Sequence, residues 1–488
     1  MNIALVVIGA FLALSIFLGI RARRGKDMDL EEWSVGGRGF GTLFVFLLLA
    51  GEIYTTFTFL GGSGWAYGEG GPAFYILSYG CLAYIMSYWL LPAVWHYAKD
   101  NRLHSQADFF SSKYGSPALG VLVSLVAVIA MVPYLALQFQ GLGLIVSATS
   151  YGAISATVAA VIGTVAVTVY VIISGIHGSA WTAVIKDIMV LVVVVFMGIY
   201  LPFALYGGIG EMFSEINAQR PGFLILPDEG YSPSWFVSTV LLTALGFYMW
   251  PHTFGSVFTA ENARVIRRNA TFLPLYQLVL LFVFFVGFAA VLQVPGLEGE
   301  RVDLSLLQIS KEVFSAPVVG LIGATGMLTA LVPGSMLLMV SSTILAKNVY
   351  KVFAPSTSER RVGTIAKLIV PVVAVVSLWF SLQSGQGIVL LLLLGYSLVT
   401  QLFPALLFSL MPNNFVTKWG AAAGIVAGVL TVTYVTVRET TIGELFPFLP
   451  GSVADTNIGI VALVVNFAVL LVVSLATGGL AVRREQSA

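Results

Sequence analysis

Long apolar stretches alternate with short polar intervals along almost the whole chain, from Met1 to Val482. Each stretch is close to the roughly 20 helical residues that cross a bilayer core. Cutting the pattern at its polar intervals predicts thirteen helices, over 2–20, 40–67, 72–97, 118–147, 153–175, 180–206, 234–256, 272–294, 316–347, 364–383, 387–411, 417–437 and 457–481. The longest polar intervals are 21–39, 207–232, 295–315 and 438–455, and none is long enough to fold alone. The expected class is therefore an all-α polytopic membrane protein, one transmembrane domain over 1–488.

Composition agrees. The 488 residues are 58% hydrophobic and 10% charged, against about 25% charged in soluble domains. Mean hydropathy is +0.94. The positive charges then orient the chain. With the N-terminus outside, the outside loops hold only Arg220, Arg301, Lys311 and Arg438, and Lys186 falls within a span. The remaining Lys and Arg side chains lie inside, as the bias of cytoplasmic loops requires. The C-terminus is then inside. The first run carries its basic residues after it, at Arg21, Arg23, Arg24 and Lys26, so it reads as a retained helix rather than a cleaved signal. The expected location is the cytoplasmic (inner) membrane. Cys81 is the single cysteine, which excludes an intrachain disulfide.

Two spans carry clusters of helix breakers. The second holds Gly51, Gly61, Gly62 and Gly64, and the seventh holds Gly246, Pro251 and Gly255. Backbone freed at such breaks is tolerated in lipid only when buried in protein or lining a polar cavity, where it can ligate an ion or solute. The alternative use of the glycines is close helix packing. The breaks lie five helices apart, so helices 2–6 and 7–11 form two repeats, and an odd repeat length makes the second inverted. The expected subdivision is a first helix and inside loop (1–39), first repeat (40–206), second repeat (234–411) and C-terminal helices with tail (412–488). Transporters built this way bind solute at the midplane between broken helices.

Charged groups within spans are the next signal. Glu52 falls about 18 Å into the second span at 1.5 Å per residue, beside Gly51 and the polar run Tyr54, Thr55, Thr56. An intramembrane carboxylate costs at least about 2.5 kcal/mol, which points to ion coordination or proton carriage. Lys186 and Asp187 lie in the sixth span. Lys186 either snorkels to the inner interface or places a positive charge at a buried cation site. Neighbours on a helix point about 100° apart, so the two need not pair. His252, read as the inner end of the seventh span, either titrates near neutrality or packs as a neutral ring.

WSVGGRGFG, GGSGWAYGEG, PYLALQFQGLG, WPHTFGSVFTAENARVIRRN and SSTILAKNVYK stand in this order on helices 2 to 9. Together they resemble the motifs of the sodium:solute symporter family, and GEIYTTFTF, AWTAVIKD and ALVPGSM resemble its monocarboxylate-permease branch. The resemblance implies a five-plus-five inverted-repeat core (LeuT-like), alternating access and a small organic anion such as acetate, lactate or pyruvate as substrate. It implies Na⁺ held by backbone carbonyls at Gly51 and Tyr54. The hydroxyl ligands expected on the ninth helix are Leu331 and Val332 here, and a supporting aspartate is Ala183. Lys186, one turn from Ala183, is the expected occupant of the cation position, which leaves the coupling ion as Na⁺ or as H⁺ carried by Lys186 or Glu52. Ser335, with Ser341 or Ser342, is the expected oxygen source if a displaced Na⁺ site survives.

The candidate substrate contacts are therefore Thr55, Thr56, Gly61, Gly62, Gln138 and Trp250. The candidate coupling residues are Gly51, Glu52, Tyr54, Lys186, Asp187, His252 and Ser335. No cofactor, nucleic-acid partner or enzymatic activity is expected, and oligomeric state is left open. Clustered histidines, paired carboxylates and a metal box are all lacking in the sequence. The rival readings are a sodium-coupled amino-acid symporter and a transporter-like sensor.

Overall fold

The computed structural model describes residues 2–23, 33 and 54–478. Every regular element among them is helical. Eleven helices are long and apolar enough to cross a membrane: α1 Ile3–Arg21, α2 Gly71–Asp100, α3 Pro117–Thr149, α4 Ala156–Gly175, α5 Trp181–Tyr206, α6 Ala263–Ala290, α7 Ala316–Phe353, α8 Glu359–Gln383, α9 Ile388–Ser409, α10 Lys418–Arg438 and α11 Ile458–Ala476. The predicted spans absent from this set are the second and the seventh, the two expected to be broken. The first part of the second span, 40–53, lies outside the described residues.

Both breaks differ in detail from the expectation. In the second span the chain bends at Tyr54 and Thr55, then runs through a π-helical turn, Phe57–Gly61, into a helix, Gly62–Gly68. Gly61 and Gly62 are thus helical rather than unwound. A Cβ on Gly61 would lie 2.9 Å from Ile388 and one on Gly62 3.5 Å from Phe284, so these glycines let α9 and α6 approach closely. In the seventh span, helix Pro233–Gly246 and a 3₁₀ turn, Phe247–Met249, end at Trp250. Trp250 is extended, at φ −62° and ψ 129°, because the ring of Pro251 disfavours helical backbone in the residue before it. A second helix, Pro251–Thr259, follows.

Short helices outside the spans sit in corresponding places. Gln106–Tyr114 lies between α2 and α3, and Ser305–Val313 between α6 and α7, five predicted spans later. Gln106 Nε2 donates to the Met249 carbonyl at 2.8 Å, meeting a backbone group freed by the second break. The same helix is tied to the end of α7. Asp108 accepts from Asn348 Nδ2 at 2.7 Å and lies 3.3 Å from Lys347 Nζ.

Burial raises the Asp108 carboxyl, but Lys347, Asn348 and the His104 amide outweigh it and hold the group below its ordinary value. The tether is therefore complete above about pH 4 and is lost only as pH falls through the depressed value. Asp108→Ala should lower stability by about 1–3 kcal/mol, read as a fall in melting temperature in detergent. The loss should be constant from pH 5 to 8, and a loss that varies over that range would contradict the assignment.

Gly175 separates α4 from α5 at φ +55°. A Cβ there would lie 2.5 Å from the Trp33 ring, so the kink needs glycine both for its backbone and for room. At the far end of the chain, Asn466 of α11 donates to the carbonyl of Gln401 in α9 at 2.7 Å. Gly424 and Gly428 of α10 pack against Asn466 and Gln401. This polar knot fixes the last two helices to the core.

Candidate functional site

At the bend, Lys186 of α5 meets the carbonyl of Tyr54. Its Nζ donates to the Tyr54 oxygen at 3.2 Å and lies 3.1 Å from Asp187 Oδ1. The lysine side chain is completely buried, and that of Asp187 is 7% exposed. The lysine is buried in the protein rather than drawn to the membrane interface, and the neighbouring acid does pair with it, as an ion pair. Tyr54 is fixed a second time, by its hydroxyl donating to the Tyr276 carbonyl at 3.0 Å.

The threonines of this bend serve the backbone. Thr55 Oγ1 accepts from the Phe57 amide at 3.2 Å, and Thr58 Oγ1 accepts from the Thr55 amide at 3.0 Å. Thr56 is buried with no partner for its hydroxyl among the described residues, and it packs on Gly141 of α3. The Gly62 amide donates to the Phe57 carbonyl, so no free amide for a carboxylate arises there. Gly51 and Glu52 lie outside the described residues.

A small cavity, about 20 Å³, lies between the two breaks. That is room for about one water molecule, so a bound solute requires the walls to move apart. Trp250 and His252 line it, with Tyr134, Gln277, Tyr79 and Tyr396 as further polar walls and Phe57, Phe247 and Leu392 as apolar ones. His252 is therefore brought to the cavity by the second half of its broken span. The Trp250 ring lies 4.9 Å from that of Tyr134 and 5.3 Å from that of Tyr396. His252 Nδ1 and Gln277 Oε1 have no partner among the described residues. Among the described residues, no charged side chain lines this cavity. An aromatic cluster, Trp65, Tyr75, Tyr231 and Trp235, continues from Tyr79 with neighbouring rings stacked, tilted or edge-on.

Gln138 lies away from these cavity walls, between α3, Gly334 of α7 and Val167 of α4, with both ends of its amide unpartnered among the described residues. Leu331 and Val332 are buried and apolar. Ser335 is committed elsewhere. Its hydroxyl lies 2.7 Å from that of Ser179 and donates to the Val332 carbonyl at 2.7 Å. Ser341 and Ser342 likewise bond to Met131 and to the Met339 carbonyl. Sequence reasoning missed Tyr79, Tyr134, Gln277 and Tyr396. Gln277 carried a signal, an amide set in an apolar run. The tyrosines are indistinguishable by pattern from interfacial ones.

Comparison with known proteins follows the geometry. A model described as the sodium:solute symporter family matches residues 33–428. The chain is 66% identical to "Uncharacterized symporter YhjB" of Bacillus subtilis (strain 168), over 98% of each chain. It is 29% identical to a protein described as "Monocarboxylate transport permease protein", from Rhizobium johnstonii (strain DSM 114642 / LMG 32736 / 3841), covering 87% of this chain and 86% of that one. Among solved structures it is similar to an outward-open, substrate-bound Na⁺-coupled sialic acid symporter, with a TM-score of 0.78, 17% identity and 98% of both chains covered. That likeness is one of fold.

Proposed function

The chain belongs to the sodium:solute symporter family, and from that premise we propose that it is a proton-coupled symporter of small monocarboxylates working by alternating access. Cation-coupled symport of a small solute by a multi-pass membrane protein comes with the family. The coupling ion and the substrate are the proposal, and with them the thirteen-helix count, the inverted repeat, the inner membrane and the inside C-terminus.

One observation carries the choice of proton: the Lys186 ammonium donates to the Tyr54 carbonyl. That carbonyl is where the family resemblance expects a sodium ligand. Na⁺ is a hard cation and wants oxygen donors, as Ca²⁺ and Mg²⁺ do. Here one oxygen faces an ammonium, and the positions for two hydroxyls and a carboxylate hold Leu331, Val332 and Ala183, all buried. An ammonium can hand its proton to a partner when the groups around it move, whereas a sodium site needs a cage of oxygens. Asp187 supplies a carboxylate 3.1 Å from the ammonium, so the pair is the place at which a proton would be carried.

The polar groups of the cavity support the substrate class. Hydroxyl, imidazole and amide groups there can bond a carboxylate, and the aromatic walls fit a short carbon chain. A carboxylate entering against a negative interior costs about 2.3 kcal/mol per charge per 100 mV, and a proton carried with it removes that cost.

Counterflow in proteoliposomes at equal pH tests the substrate reading. Vesicles loaded with unlabelled lactate should take up labelled pyruvate, lactate or acetate against its concentration. Exchange of neutral amino acids without any monocarboxylate would move the assignment to amino-acid symport. No exchange of either kind, in a chain that remains folded, would favour a sensor.

A further inference from the structure

The loop 299–304 holds a carboxylate that the coupling scheme does not use. Asp303, in the 3₁₀ turn Gly299–Leu304, is 1% exposed. We propose that Asp303 is a second protonation site of the transport cycle, taking up a proton from the outer side as this loop closes over the first broken helix and releasing it as the loop lifts. The proposal rests on the alternating-access reading above, but not on Lys186.

Geometry puts Asp303 where moving parts meet. Its Oδ2 accepts from the Ile388 amide at 2.9 Å, capping the start of α9, whose first amides have no helical partner. Its Oδ1 has no hydrogen-bond partner among the described residues. That oxygen faces Gly64, where a Cβ would approach it to 2.8 Å. Thus the loop, the half-helix Gly62–Gly68 and α9 converge on one carboxyl group. Gly61, just before this half-helix, packs on Ile388 and Val389, so opening this end of the bundle exposes Asp303 and Val389 together.

The surroundings contain little other charge. Glu300 and Arg301 are exposed on the same loop. Residues 54–68 and 384–390 bring no charged side chain. Glu69 follows the half-helix, half-buried, and Lys311 and Glu312 lie about two turns further along the chain. Burial, with a smaller contribution from Glu300, pushes the Asp303 carboxyl up to about 7 against the lowering effect of the Ile388 amide.

The sign follows from linkage. In the closed form the group binds its proton up to about pH 7, whereas a hydrated carboxyl releases it near pH 4. Closure therefore takes up a proton between those values, and alkaline conditions outside favour the open form. Between pH 6 and pH 8 the open-to-closed ratio should rise about tenfold.

The test uses Val389→Cys as a reporter in a Cys81→Ser background, in right-side-out vesicles. A membrane-impermeant maleimide is added outside at pH 6 and at pH 8. The ratio of the two labelling rates should be about tenfold larger with Asp303 present than in Asp303→Asn, which cancels the reagent's own pH dependence. Asp303→Ser keeps an acceptor for the Ile388 amide without a carboxyl and should match Asp303→Asn. Equal ratios with and without the carboxyl would overturn the proposal while leaving alternating access standing. A reporter that stays unlabelled at both pH values would remove the outer opening itself, and the proposal with it.

Discussion

Lys186→Ala should abolish proton-driven accumulation while exchange at equal pH continues. An electroneutral carrier of one proton and one carboxylate concentrates substrate about tenfold for each unit of pH gradient, and without the proton the ratio falls to one. Lys186 is not among the residues that line the cavity, so exchange does not require the lysine. The substitution also leaves Asp187 buried without its cation. Removing one member of a buried pair destabilises by about 3–5 kcal/mol. The double variant Lys186→Ala, Asp187→Asn removes that penalty and should show the same uncoupled exchange. Wild-type accumulation in either variant would take Lys186 out of the mechanism.

The second large effect is expected from Trp250→Ala. The indole is 2% exposed, forms one wall of the cavity and is clasped by Tyr134 and Tyr396. Gly395 of α9 packs against its ring so closely that a Cβ there would lie 2.7 Å from it. Losing such a side chain costs about 3–5 kcal/mol of stability. Within the cavity it removes the surface that excludes longer carbon chains. The KM for pyruvate should rise about tenfold or more, an amount set by roughly 1.4 kcal/mol of lost contact. Larger acids carrying a phenyl group should become substrates. A KM and size preference unchanged in Trp250→Ala would place substrate elsewhere.

The architecture was largely legible because lipid leaves few choices. Each apolar run must become a helix that satisfies its own backbone, and eleven predicted spans reappear as α1 to α11. The two broken spans were found by residues that interrupt helices, but their glycines were misread in part. Gly61 and Gly62 signal close helix contact as readily as unwinding, and only the neighbours Ile388 and Phe284 decide between the two. The bend falls instead at Tyr54 and Thr55, where the threonines Thr55 and Thr58 stand in for lost helical bonds.

Lys186 was visible as a charge in an apolar run. Its contact with Tyr54 was not, since 132 residues separate them. The cavity's tyrosines and Asp303 were hidden for related reasons. Tyrosine is common at membrane interfaces, and an aspartate in a polar loop looks solvated until the fold buries it.

The most direct measurement is the initial rate of labelled pyruvate uptake into proteoliposomes at neutral pH, with protein-free vesicles as the baseline. An inward H⁺ gradient and an inward Na⁺ gradient are imposed separately. Uptake driven by the H⁺ gradient in the absence of Na⁺, and lost in Lys186→Ala, is the predicted result. Uptake driven only by the Na⁺ gradient would contradict it, because Na⁺ would then be bound without the oxygens that Leu331, Val332 and Ala183 do not supply.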